Sequence, residues 1–100
     1  MKPVEISGDV MKRIDELFHF IIDEYKSERT AHQRIDDINI FLQSLGGNFL
    51  LAKCRRKKWH ERGYRCAVFD HKWVFAYQVY AEKVIVHDME YASKIIDVID

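Results

Sequence analysis

Apolar and polar positions along the chain change period near its middle, and that change predicts the order of elements. Val4-Glu5-Ile6-Ser7 alternates and is ended by Gly8, which suits an edge strand, with Pro3 at its entry where a sheet tolerates proline. Asp9 then caps a helix whose apolar positions Val10, Ile14, Leu17, Phe18, Ile21, Ile22 and Tyr25 recur every three or four residues. The polar run Lys26 to Thr30 breaks that period. Thr30 caps a second helix that buries Ala31, Ile35, Ile38, Phe41, Leu42 and Leu45, and Gly46-Gly47 ends it by supplying a left-handed residue.

From Gly63 the period falls to two. Tyr64–Phe69, Trp73–Tyr80 and Lys83–His87 are rich in aromatic and β-branched residues and are separated by connections too short for anything but antiparallel neighbours. Trp73, Phe75, Tyr77 and Val79 share one face, which is expected to pack on the helices. Met89 to Ile99, with Tyr91, Ile95, Ile96 and Ile99, reads as a short closing helix. Asn48 to Ala52 leads into a loop over 53–62 that has no single period. The expectation is an α+β domain of two layers, β-α-α-β-β-β, with a helical hairpin packed on a small antiparallel sheet.

One hundred residues, 48% hydrophobic and 32% charged, give a single globular domain over 1–100. No apolar run reaches the roughly 20 residues that span a bilayer, and the first residues have no apolar signal core, so the expectation is a cytoplasmic protein with no membrane partner. Cys54 and Cys66 are able to pair, but two thiols in an ordinary core make no disulfide framework. The five histidines are scattered without Cys-x-x-Cys or His-x-x-x-His spacing, and neither a metal nor another cofactor is expected.

Charge changes this picture more than composition does. The formal net charge is zero, yet Lys53, Arg55, Arg56, Lys57, Lys58, Arg62 and Arg65 stand against one acid, Glu61, within thirteen residues. That stretch carries +6, and the flanks carry −3 each. A solvated face normally mixes signs, so the concentration points to a polyanion or an acidic protein surface as partner. With Arg65 entering the second strand, a positive surface is expected on the sheet face away from the helices. Trp59, between Lys58 and His60, suits either a base-stacking role or a loop anchor.

The order of elements, with Leu42-Gln43-Ser44-Leu45-Gly46, Arg62-Gly63-Tyr64-Arg65, Tyr77-Gln78-Val79 and Val84-Ile85-Val86-His87-Asp88, resembles the RelE/ParE superfamily of toxins from bacterial type II toxin–antitoxin systems. The resemblance covers nearly the whole chain and implies a growth-blocking toxin, of the kind also called plasmid stabilisation proteins, neutralised by a cognate antitoxin protein. Its two branches imply different targets, DNA gyrase or the ribosome with its mRNA. Members commonly carry arginines at the start of the third strand and after its tyrosine, where this chain has Trp73-Val74 and Gln78. The mRNA-cleaving branch relies on those positions, so their absence favours the gyrase-inhibiting branch.

The residues themselves leave both open. Metal-free RNA cleavage needs a base for the 2′-hydroxyl, a cation for the phosphorane and an acid for the leaving oxygen. Arg65, His87 and Tyr91 are the candidates for these roles, with Lys53, Arg55, Arg56, Lys57, Lys58 and Arg62 as the residues that bind target or nucleic acid. On a helical turn after the last strand, His87 and Tyr91 would share a face. The plainer readings are a strand-end histidine that caps and a tyrosine that packs.

Overall fold

The computed structural model describes residues 1–47 and 53–99. The expected lead-in from Asn48 to Ala52 lies outside them. In chain order the elements are β1 (Val4–Ile6), α1 (Gly8–Tyr25), α2 (Glu28–Ser44), α3 (Lys57–Glu61), β2 (Arg65–Phe69), β3 (Trp73–Val79) and β4 (Val84–Tyr91), followed by a 3-10 turn at Ala92–Lys94.

Both long helices begin on a serine. Ser7 caps α1 by accepting from the Val10 amide, and Ser27 caps α2 by accepting from the Thr30 amide. The caps therefore lie earlier than Asp9 and Thr30, because a hydroxyl three residues before an orphan amide reaches it with the cap residue still extended. Between the helices Lys26 takes a left-handed conformation at φ 52°. The end of α2 also departs from expectation. Gly46 and Gly47 supply no left-handed residue; the amides of Leu45, Gly46 and Gly47 instead bond back to Leu42, Gln43 and Ser44. Gly46 is small for another reason. The backbone of Lys2 passes over it, with Lys2 N–H donating to the Gly46 carbonyl at 3.0 Å, and a Cβ there would run into the Lys2 carbonyl.

The sheet is mixed, in the order β1-β4-β3-β2. The β2-β3-β4 meander is antiparallel as expected, but β1 joins the edge of β4 in parallel, Val4 beside Val84 and Ile6 beside Val86. Asp70 and His71, both left-handed, make the tight β2–β3 turn, closed by Lys72 N–H donating to the Phe69 carbonyl. No closing helix follows. β4 runs on to Tyr91, which pairs with Trp73, because β3 is long and its far end needs a ladder partner. Beyond the 3-10 turn Ile95 is extended, and Val98 bridges Arg56.

Two cores result. Val10, Ile14, Leu17, Ile21, Ile38 and Leu42 of the hairpin pack on Trp73, Phe75, Tyr77, Val84, Val86 and Met89, the face of β3 that alternation predicts. The opposite face of β3, Val74 and Ala76, is buried as well, beneath Cys54 and Trp59, with Tyr64, Cys66, Ala92 and Ile95 around them. The cationic stretch is thus no open loop but a third, local layer. Cys54 and Cys66 are bonded to one another, with Cα atoms 4.9 Å apart.

Candidate functional site

The sheet face away from the hairpin carries the candidate chemistry, and a bulge sets it up. Ala76 lies opposite Asp88 while Tyr77 lies opposite Val86, which leaves His87 as the extra residue of β4. A bulge re-aims side chains locally. The His87 ring stacks on Tyr64, centroids 4.7 Å apart and planes 7° from parallel. Its Nε2 lies 3.3 Å from the Tyr80 hydroxyl, and that hydroxyl donates to Gln78 Oε1 at 2.8 Å. With the tyrosine hydrogen committed to Gln78, Nε2 is the donor to Tyr80, which leaves Nδ1 as the basic nitrogen. Burial, and then the Arg62 guanidinium, lower the His87 pKa below the ordinary histidine value, which favours the neutral ring. Ser7 fixes the backbone here, donating from Oγ to the His87 carbonyl at 3.1 Å while it caps α1.

The cationic stretch folds beside this cluster. Trp59 is 1% exposed and donates from Nε1 to Asp88 Oδ2 at 3.0 Å, with Arg56 over its ring at 4.8 Å. Gly63, at φ 73°, ends α3: its own amide returns to His60 and the Tyr64 amide to Trp59, the paired bonds of a Schellman motif. That turn delivers Tyr64 to His87. Several of the cations are engaged within the fold. Arg56 pairs with Asp97 at 3.3 Å, Lys58 with Asp88 at 3.8 Å, and Arg55 donates to the Ile99 carbonyl at 3.0 Å. Lys53, Lys57 and Arg62 are exposed and form no ion pair with a described residue.

The three residues expected to share one site are not brought together. Arg65 pairs with Tyr77 and follows the alternation of Ala67, a main-core residue, so it lies on the hairpin side of the sheet and not on the far face. There its charge partly offsets the burial that raises the Tyr77 pKa. Tyr77 Oη is buried and has no hydrogen-bond partner among the described residues. Tyr91 also packs on the main core, beside Trp73, about 13 Å along β3 from the Arg65 pair by strand rise. It stands in a strand, so no helical turn aligns it with His87. Tyr64, Tyr80 and Gln78, which do surround His87, were not among the expected site residues, since only the bulge and the Gly63 turn assemble them. Among the described residues no three His, Cys, Asp or Glu side chains are grouped to hold a metal, and no helix is long and apolar enough to cross a membrane. No protein-family model, curated protein or solved structure matches this chain.

Proposed function

We propose that the chain is the toxin of a type II toxin–antitoxin pair, similar in kind to the RelE/ParE superfamily, and that it arrests growth in the cytoplasm by inhibiting DNA gyrase. A cognate antitoxin neutralises it. The order of elements supports the family reading: one strand, a helical hairpin, and a meander whose last strand takes β1 at its edge. The observation that carries the choice of target is the dispersal of Arg65, His87 and Tyr91, since a ribonuclease needs base, cation and acid around one phosphate. A protein inhibitor needs only a surface, and Lys53, Lys57 and Arg62 provide a cationic one beside α3.

One observation favours the second reading, an mRNA endoribonuclease. His87, its pKa lowered by burial and by Arg62, stands beside Tyr64 and Tyr80, a candidate base with a cation and two phenols near it. Inducible expression in bacteria, with plasmid topology and mRNA ends mapped together, separates the two. Altered plasmid topology with intact mRNA is the expected result. New mRNA ends that vanish in His87→Ala would replace gyrase with RNA as the target, and harmless expression would leave only a binding module that receives an antitoxin.

A further inference from the structure

The Cys54–Cys66 bond closes a loop whose eleven inner residues carry Arg55, Arg56, Lys57, Lys58, Arg62 and Arg65. On one side the loop is closed across its neck: the Cys54 amide donates to the Tyr64 carbonyl at 2.9 Å, Lys53 bridges Arg65 at the start of β2, and His60 Nδ1 donates to the Cys54 carbonyl at 3.0 Å. On the other it is held by the last residues of the chain. Lys57 N–H donates to the Asp97 carbonyl at 2.7 Å and Ile99 N–H to the Arg55 carbonyl at 2.8 Å, so the segment 95–99 straps the loop down. Between strap and sheet runs a groove of about 280 Å³ lined by Arg55, Arg56, Trp59, Cys66, Ile95 and Val98, among others. Cys54 is fully buried, whereas Cys66 is partly exposed and lines that groove. Of the two cysteines Cys66 is therefore the one open to the groove, and two guanidinium groups line the same groove, where they favour thiolate forms.

We propose that this bond is a redox-operated clasp on the cationic segment. A dithiol reductant attacks Cys66 through the groove, its sulfur joins Cys66 as a mixed disulfide, and Cys54 leaves as thiolate. The reductant's second thiol then displaces Cys66, so that two electrons and two protons pass to the protein and the reductant becomes a disulfide. Reduction cuts the covalent tie between the loop and β2, and segments 53–64 and 95–99 loosen together. The main core between hairpin and sheet shares no residue with the clasp and stays folded. In a reducing compartment such a pair rests as thiols and closes on oxidation, as redox-sensing disulfides do. The consequence for target binding rests on the function proposed above; the clasp itself does not.

Hydrogen exchange on the full chain, located by mass spectrometry, tests it. The oxidised protein, the protein in millimolar dithiothreitol, and the Cys54→Ser, Cys66→Ser double variant are compared, with thiols counted by alkylation. Both cysteines are expected to alkylate without denaturant, and exchange over 53–64 and 95–99 to speed up by about ten-fold or more. α1, α2 and β3 keep their protection, and re-oxidation by a disulfide restores the rest. Unchanged exchange in the reduced protein overturns the proposal. So does a bond that only denaturant exposes, or loss of protection throughout the chain, which would make the bond a staple for the whole fold. Gyrase inhibition is read in none of these arms, so failure of the clasp and failure of the proposed function are told apart.

Discussion

Replacing Trp59 by alanine decides whether the cationic stretch is part of the folding unit or an appendage to it. The indole is 1% exposed at the centre of the second core, against Val74 and Ala76 of the middle strand. Truncating a buried tryptophan to alanine costs roughly 3–5 kcal/mol through lost transfer energy and the cavity left behind. Asp88 is not orphaned by the change, since it keeps the Met89 amide and Lys58. About 4 kcal/mol is therefore the figure, a large part of the 5–15 kcal/mol that a domain of this size commands, and it lowers Tm by roughly 15–30 °C. Trp59→Phe keeps most of the apolar contact and loses only the hydrogen bond to a carboxylate, about 1.5–3 kcal/mol. Urea unfolding followed by circular dichroism of both variants measures the two costs. A loss below about 1 kcal/mol for Trp59→Ala would refute the reasoning, since that is the cost of a surface change and not of emptying a buried indole site.

Gly46→Ala is expected to lower stability by about 1–3 kcal/mol despite alanine's better helix propensity, because the added methyl meets the Lys2 backbone; Gly47→Ala, which faces only the flexible end of Met1, serves as the control in thermal melts. The His87 ring titrates below the ordinary histidine value in an NMR pH series, and Arg62→Gln moves its midpoint upward; an unmoved midpoint would remove Arg62 from the cluster. Because the folded pKa lies below the unfolded one, the unfolded chain takes up the proton first. Stability from this group is present above the ordinary histidine range and is lost as pH falls through the folded value, a slope that His87→Gln abolishes in unfolding measured across pH. Nonspecific binding to duplex DNA should weaken with salt at a log–log slope near −3 if Lys53, Lys57 and Arg62 make the contacts, against about −5 if all six expected binding residues did; a slope at the steeper value would show that the internal ion pairs open on binding.

The hairpin and the meander were legible because each follows one period: Val10, Ile14, Leu17 and Ile21 at helical spacing, Trp73, Phe75 and Tyr77 at strand spacing, and both sets meet in the main core. The closing helix was not. Met89, Tyr91 and Ile95 fit a helical period as well as a strand, and the ladder opposite Trp73, a contact across many residues, decides for the strand. The site was legible only in part. His87 stood out as a histidine after a β-rich run, but its partners come from Tyr64, placed by the Gly63 turn, and from Tyr80, placed by the end of β3. A one-residue bulge reverses which face a strand residue takes, and no pattern of apolar positions records it. The same blindness put Arg65 on the wrong face, since its side follows from pairing with Tyr77 and not from its basic neighbours.

The charge block illustrates how a run of one sign serves two ends. Alone, +6 in thirteen residues would repel itself and stay unfolded. What folds it is the acid supplied from later in the chain: Asp88 from β4 to Lys58 and the Trp59 indole, Asp97 from the strap to Arg56. These contacts are partly exposed and contribute little singly, on the order of 0–1 kcal/mol per ion pair. Their effect is on geometry: they aim one part of the block inward, around a buried tryptophan and a disulfide, and leave Lys53, Lys57 and Arg62 exposed. The positive charge of the block is therefore carried on a folded segment and not on a flexible tail, with Arg62 close enough to His87 to lower its pKa. A folded cationic surface discriminates by shape as well as charge, which is what the inhibition of a single protein target proposed above would require of it.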